Sequence, residues 1–378
     1  MRITQNVKFI LCSLAFLLSL KTMAQSPAIM QDSTAGRKII KGFIPIPIVY
    51  YTPDTRLGLG AGVIGFFKLP SHTDTTYTRL SVTRLLLDYT LNKQTDQLLD
   101  WNIFTRDERY LLRGELRHRV YADRFYGIGN NTPEINEEKY KYNYASFRFG
   151  ALKNIGKQAF IGPDVQITNY YNVKLDSIDK ERDSQLRNLS IPGSEGGLNS
   201  GLGLVFLIDS RDNVAYASSG MYLEASVYRY STAFGSDFSY NNINFDFRKY
   251  FQLKPDHILA FNTSMMLTNG EVPVMRLAQA GGDRMLRGYA KNRFLENNFA
   301  GAQAEYRLPL AGSFGMVAFA GIGDVFGKPA DVSFSTLKYS LGSGLRYALD
   351  KKQKMNARLD VGYGREGINF YVVIGESF

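Results

Sequence analysis

The residues of this sequence that could carry out chemistry are few, and their spacing does not favour it. The segment GAGVIG at 60–65 matches the pattern G-x-G-x-x-G of dinucleotide-binding proteins, but that pattern needs a strand before it and a helix after it. Neither flanks it here, so we interpret its glycines as part of a β-strand. His72, His118 and His257 lie far apart and lack the spacing of metal ligands, which argues against a zinc site.

A nucleophile is equally hard to place. The sequence contains no G-x-S-x-G segment, the turn that presents a nucleophilic serine in many hydrolases. A protease or lipase triad could still be assembled from separate strands, but only His118 and His257 fall in strand-like segments. We therefore predict no catalytic residue, no metal site and no cofactor, and we classify the protein as a non-enzyme.

The most unusual segment is GGDRMLRGYAKNRF at 281–294. Two adjacent glycines precede a core of Arg287, Gly288 and Tyr289, and the segment lacks the apolar periodicity of a helix or a strand. Strand-like segments lie on both sides of it, LAFNTSMML before and GAQAEYRLPL after. A long basic loop with glycine hinges is therefore predicted between two strands.

Alternation of polar and apolar residues dominates the rest of the chain. In FAGAQAEYRLPL, Gln303, Glu305 and Arg307 fall on one face of a predicted strand, and Ala304 and Tyr306 fall on the other. YLLRGELRHRV, INFDFRKY and KYSLGSGLRYAL alternate in the same way. A secreted β-sandwich or a soluble barrel also alternates, but several charges on its inward face would be costly to bury. Repeated charged faces favour a transmembrane β-barrel, whose apolar face meets lipid and whose charged face lines a wet lumen.

The strand count supports this fold class. Fifteen candidate strands run from 55–67 to 368–378, and GFIPIPIVYY at 42–51 supplies a sixteenth. Pro45 and Pro47 predict that this first strand is an edge or irregular strand. Bacterial single-chain barrels normally have an even number of strands. We predict an all-β, transmembrane antiparallel β-barrel of about 16 strands, with the basic loop between the eleventh and the twelfth.

The N-terminus has the pattern of a targeting segment. Arg2 and Lys8 are followed by the apolar run FILCSLAFLLSL and by a small residue, Ala24, which predicts a signal peptide at 1–24. The run is too short for a comfortable membrane-spanning helix. Cys12, the only cysteine, lies within it, so the exported chain would contain no disulfide.

The remaining chain is divided into a short periplasmic segment at 25–42 and the barrel at 43–378. The formal net charge is +10, and the signal segment contributes three of its positive residues. The other basic residues are spread along the strands instead of forming a basic tail, and we predict no nucleic-acid partner.

Taken in order, these motifs resemble the BamA/TamA family of outer-membrane proteins, also called bacterial surface antigens. The resemblance covers roughly 43–378 and rests on the Arg-Gly-Tyr core, AEYRLPL, VAFAGIGDVF, DSRDN at 209–213 followed by Gly220, YTPDTRLGLGAG and the final Phe378. It implies a barrel in the outer membrane of Gram-negative type whose long sixth extracellular loop folds back into the lumen. It also implies that the loop arginine docks on acidic residues of the wall.

The sequence departs from the family in two places. Members that insert proteins usually carry periplasmic POTRA domains, and the roughly 20 residues between Ala24 and the first strand leave no room for one, so we expect a POTRA-less member. The family also has Phe-x-Asp-x-Gly on the strand that receives the loop arginine. Here the segment starting at Phe319 has Gly321 in place of that aspartate, and Asp324 is displaced.

The resemblance and the strand pattern together predict a loop lock formed by Arg287, Gly288, Tyr289, Glu305 and Asp324. Glu305 is the expected partner of Arg287 because of its inward position, with Asp324 and Asp360 as alternatives. In the opposing interpretation, the segment is a solvated surface loop and Arg287 contacts nothing.

The end of the chain predicts an assembly signal. Phe370, Val372, Ile374 and Phe378 would share one face of the last strand. A last strand that ends in an aromatic residue is typical of outer-membrane barrels. Glu376 interrupts that face.

Two functions remain open. One is a factor whose weak seam between the first and last strands helps outer-membrane proteins or lipids to assemble or translocate. The other is a plain pore or surface antigen. The expected partners are outer-membrane lipid and either nascent outer-membrane proteins or a separate periplasmic protein.

Overall fold

A computed structural model describes residues 30–32, 39–52, 55–70, 78–177, 183–188, 190–351 and 354–378. The signal peptide predicted at 1–24 lies outside the described residues, as does most of the segment at 25–42, and both stay predictions.

Sixteen long strands form the described part of the chain. They are β1 (Ile39–Thr52), β2 (Arg56–Phe67), β3 (Ser81–Thr90), β4 (Thr95–Phe104), β5 (Tyr110–Phe125), β6 (Glu138–Gly156), β7 (Ala159–Ser177), β8 (Gly197–Asp209), β9 (Gly220–Tyr230), β10 (Tyr240–Lys254), β11 (His257–Gly270), β12 (Asn298–Pro309), β13 (Phe314–Phe326), β14 (Lys338–Asp350), β15 (Met355–Gly364) and β16 (Gly367–Ile374). A three-residue strand, Met30–Asp32, pairs with β1. None of the helices in these residues has the length and hydropathy to cross a membrane.

The strands form one antiparallel sheet in sequence order, and the sheet curls until β16 meets β1. The predicted all-β barrel of sixteen strands is confirmed. The seam is narrow, because β16 and β1 pair only at Val372 and Tyr51, whereas β15 and β16 pair from Ala357 and Ile374 to Gly364 and Gly367. β1 is therefore an edge strand over most of its length, as predicted. Pro45 and Pro47 are tolerated there because proline has no N–H to donate to a neighbouring strand.

Burial follows the alternation read from the sequence. On β14, Leu341 and Leu345 are 53% and 47% exposed on the outer surface, whereas Ser340 and Arg346 are 1% and 4% exposed. Apolar side chains therefore cover the outside of the barrel, and polar side chains line the inside. This is the reverse of a soluble sandwich, and it explains how the sequence tolerates charges at every second position.

Wall residues occupy part of the lumen beside β5–β9. Tyr228 and Tyr230 of β9 pack with Phe160 of β7 in a buried apolar cluster. An ion pair also crosses this part of the lumen. Arg113 of β5 donates to Glu224 of β9, four strands away in the sheet, at 2.8 and 2.9 Å. The connection between β11 and β12 also packs here, because Val272 joins the buried cluster and Arg276 donates to the Tyr230 hydroxyl at 2.8 Å.

The DSRDN segment, predicted as a tight turn, instead begins the longer connection 210–219 between β8 and β9, in which aspartate side chains bond the local backbone as expected. The Asp212 carboxylate accepts bonds from the backbone N–H groups of Ser218 and Ser219 at 2.8 and 3.1 Å. Burial alone would raise the pKa of Asp212, but a bond from the Ser218 hydroxyl, together with these two N–H bonds, outweighs it and lowers the pKa below its usual value.

Candidate functional site in the barrel lumen

The connection between β11 and β12, residues 271–297, forms a small hairpin of its own. Ala278–Ala280 pairs antiparallel with Phe294–Glu296. Gly281 and Gly282 follow with φ angles of 107° and 119°, which residues with a side chain rarely adopt. The hairpin carries its tip into the lumen, where Leu286 is completely buried.

Arg287 at this tip reaches two carboxylates of the barrel wall. Its Nη1 donates to Asp360 of β15 at 2.7 Å, and its Nη2 donates to Glu305 of β12 at 2.7 Å. All three side chains are 0% exposed. The guanidinium carbon also lies 3.4 Å from the ring centre of Phe319, a cation–π contact. The predicted partner and one of its two alternatives thus bind the same arginine.

Three wall arginines share these two carboxylates. Arg307 lies 2.8 Å from Glu305, and Arg346 and Arg358 lie 2.5 and 2.9 Å from Asp360. Each arginine is at most 5% exposed. Buried charges are tolerated only when they are paired, so this cluster depends on a close match of cations and anions.

Two more carboxylates balance the cluster. Arg358 binds Asp283 of the loop at 2.7 Å, and Arg346 binds Glu376 at 2.7 Å. With Arg287, Arg307, Glu305 and Asp360, the cluster contains four arginines and four carboxylates. One anion comes from the loop and one from the end of the chain, so both segments take part in its neutrality.

Gly288 and Tyr289 press the loop against the wall. Gly288 has a φ of 124°, and a Cβ there would lie 2.7 Å from the backbone nitrogen of Gly364. Its N–H donates to the Tyr371 hydroxyl at 3.0 Å. The Tyr289 hydroxyl, which is buried with its ring, donates to the backbone oxygen of Tyr339 at 3.1 Å. The glycine is therefore required by close approach as well as by its φ angle.

The prediction that Asp324 belongs to the lock is wrong. Asp324 lies 2.6 Å from the amine of Lys338, and its other oxygen accepts a bond from Thr336 at 2.5 Å. Its displacement toward the end of β13 takes it away from Arg287. The space at Gly321 is bordered by Leu286 of the loop, since a Cβ at that glycine would lie 3.7 Å from the leucine side chain.

The final residues do not continue β16 as predicted. The strand ends at Ile374, and Gly375 has a φ of 97°, which turns the chain. Phe378 is 9% exposed and packs against Tyr250, and its backbone oxygen accepts a bond from Arg307 at 2.9 Å.

The four residues of the predicted assembly signal therefore do not share a face. Phe370 is 48% exposed on the outer surface, and Val372 and Ile374 of the same strand are half-buried. Phe378 alone is buried inside. The chain turns inward at this point because Glu376, two residues before Phe378, binds Arg346 and Asn356, and both of these partners lie in the lumen.

Sequence reasoning missed several members of this site. Asp360 was only an alternative, and Arg346, Arg358, Phe319 and the inward turn of the tail were absent from the predicted site. Arg346 did carry a signal, since it lies on the polar face of KYSLGSGLRYAL. Which inward residues meet across the lumen depends on barrel curvature and strand stagger, which no single strand encodes.

A cavity of about 600 Å³ remains between the loop and the wall. Its lining includes Tyr142, Glu224, Asp246, Asp283 and Lys291. Ion pairs hold the charged members, for example Asp246 with Arg248. Among the described residues, no group of His, Cys, Asp and Glu side chains is arranged to hold a metal ion.

An antiparallel barrel of sixteen strands with an apolar exterior and a charged lumen is an outer-membrane β-barrel in class. The Omp85 superfamily domain matches residues 74–378, and the chain belongs to this family. Omp85 barrels are outer-membrane proteins of Gram-negative bacteria.

Solved structures are similar in fold. BamA from Haemophilus ducreyi lacking POTRA domains 1–3 is 14% identical with a TM-score of 0.57, over 96% of this chain and 78% of that one. CdiB from Escherichia coli is 10% identical with a TM-score of 0.55, over 93% of this chain and 67% of that one. CdiB from Acinetobacter baumannii is 11% identical with a TM-score of 0.52, over 89% of this chain and 60% of that one. A comparison with curated proteins found no match.

Proposed function

We propose that this barrel assists the assembly or translocation of other proteins at the outer membrane, and that the seam between β1 and β16 is where it acts. The observation that carries the proposal is the single pair, Val372 with Tyr51, that joins the two strands. Membership of the Omp85 superfamily supports the general role.

The physical basis is the exposed edge of β1. A strand edge presents backbone N–H and C=O groups that another strand can bind. In a bilayer each unsatisfied group costs several kcal/mol, so an incoming strand that pairs with β1 is strongly favoured. Pro45 and Pro47 lie on the exposed face of β1 and cannot donate, which restricts pairing in their part of the strand.

The occupied lumen supports this function over a plain pore. The loop tip and the chain end lie in the lumen against β12, other loop residues bind β5 and β9, and a cavity of about 600 Å³ remains beside them. A surface antigen without activity remains the alternative function. Nascent outer-membrane proteins are the proposed clients, and a separate periplasmic protein is the proposed delivery partner.

A reversible lock across the seam tests the proposal. Cysteines at positions 51 and 372 face each other in register, and the sequence has no other cysteine than Cys12. In a strain depleted of the parent protein, the oxidised variant should fail to support assembly of outer-membrane proteins, and a reductant should restore it. The control is a cysteine pair at Val63 and Leu85, which face each other on β2 and β3 away from the seam.

Normal assembly with a fully oxidised seam would contradict the proposal. A folded, heat-modifiable band on gels in both redox states separates loss of function from loss of folding.

A further inference from the structure

Beyond the seam and the lumen, the outer surface of β5–β7 carries a compact group of cations. Arg124 faces Lys139 across β5 and β6, and Lys141 faces Lys174 across β6 and β7. We refer to these four residues as the cationic patch. Lys139 and Lys141 lie on the same face of β6, two positions apart, so the four charges are contiguous.

Such an arrangement is unfavourable by itself, because like charges directly opposite each other on neighbouring strands repel. Two carboxylates reduce the repulsion: Asp176 lies 2.6 Å from Lys141, and Glu137 lies 3.5 Å from Arg124 and 3.6 Å from Lys139. Counted over the patch and the carboxylates that the structure describes beside it, four cations and two carboxylates give a formal excess of two positive charges. The Lys141–Asp176 pair is also weak, because its side chains are 47% and 40% exposed. The patch can therefore accept a further anion.

An apolar groove lies on the outer surface of β3–β6 and shares β5 and β6 with the patch. Lys139, Lys141, Asn143 and Ala145 occupy alternate positions on the outer face of β6, so Ala145 lies about 13 Å from Lys141 along the strand. Ala145 lines a groove of about 350 Å³ on the outer surface together with Leu85, Leu99, Leu116, Gln97 and His118. The small alanine leaves room between the leucines. His118 forms a hydrogen bond of 2.9 Å with the hydroxyl of Tyr171, which lies on β7, the strand that carries Lys174 of the patch.

The membrane position of this surface selects its occupant. The patch is at the end of the barrel that carries the loop, since Arg293 of the loop bonds Thr132 in the connection between β5 and β6 at 3.0 Å. The family resemblance makes that end extracellular. An apolar groove below a cationic patch matches an acyl chain below a phosphate group, and Lys side chains bind phosphates as flexible point charges.

We propose that this surface binds a phosphorylated lipid of the outer leaflet, with its phosphates on the cationic patch and one acyl chain in the groove. The site is on the opposite side of the wall from the loop lock and does not depend on activity at the seam.

The test measures lipid bound to the purified full-length barrel in detergent by native mass spectrometry, with diphosphorylated lipid A as the probe. Bound lipid should fall about tenfold or more in the K141A/K174A variant, and dephosphorylated lipid A should bind the parent as weakly. The matched control is K153A, which removes an exposed lysine from the other end of the same strand and should bind lipid A like the parent. Heat-modifiable migration on gels establishes that each variant is folded.

Equal lipid A binding by K141A/K174A and the parent would overturn the proposal, as would equal binding of the dephosphorylated lipid. A second variant, A145F, fills the groove without changing a charge and should also lower binding. Undiminished binding by A145F would remove the groove from the site. If phosphatidylglycerol binds as well as lipid A and K153A lowers that binding, the anion is a phospholipid at the other end of the barrel and the proposal fails.

Discussion

Arg287 of the loop and Glu305 of β12 form an ion pair of 2.7 Å in which neither side chain is exposed to solvent. The pair attaches the loop between β11 and β12 to the inner wall of the barrel. Because Arg307 and Ser377 bind the same carboxylate, at 2.8 and 3.1 Å, the contact also reaches the end of the chain.

Replacing Arg287 with alanine should destabilise the barrel strongly. The change leaves Glu305 and Asp360 with fewer cations in a buried site, and breaking a buried pair costs roughly 3–5 kcal/mol. The free energy of unfolding in urea, followed in detergent micelles, measures the loss. Arg284→Ala is the matched control, because its side chain is exposed in the same loop and should change stability by less than about 0.5 kcal/mol. Equal effects of the two changes would contradict the lock.

Alanine at Gly288 should displace the loop tip. Its Cβ would lie 2.7 Å from backbone atoms of Gly364 and Tyr363, which cannot move without disturbing β15. Gly282→Ala provides the comparison, since Gly282 has a similar φ of 119° but no atom within 4 Å of an added Cβ. Limited proteolysis of the loop should be faster in Gly288→Ala than in Gly282→Ala. The same rate in both would mean that backbone strain alone, and not wall contact, is responsible.

Phe378→Ala should lower the folded, heat-modifiable fraction more than Phe370→Ala does. Phe378 packs against Tyr250 inside the barrel, and truncation of a buried phenylalanine costs roughly 3–5 kcal/mol. Phe370 is 48% exposed on the outer surface, so its ring loses fewer protein contacts. A larger defect in Phe370→Ala would indicate that the outer face of β16, not the buried end, directs assembly.

Shortening the loop by removing residues 283–291 should open the lumen. The parent barrel should conduct ions poorly in planar bilayers because the loop lies inside the lumen, and the shortened variant should conduct several times better. Removal of residues 329–334, from an exposed connection at the same end, is the control and should leave conductance low. A large, steady conductance of the parent protein would favour the plain pore.

The sequence alone determined the fold class and the location of the loop. Alternation such as Gln303, Glu305 and Arg307 against Ala304 and Tyr306 has a period of two, and that period is a local property of the chain. The glycines and the arginine of 281–294 likewise marked an irregular segment between β11 and β12. These features need no knowledge of distant residues.

Only the tertiary structure decided which charges meet. Asp360 and Asp324 are both acidic residues on strands near the loop, but barrel curvature brings Asp360 to Arg287 and leaves Asp324 with Lys338. The end of the chain turns inward for the same reason. Glu376 could be neutralised only by cations that other strands place in the lumen, and a charge without a partner is too costly to leave facing lipid.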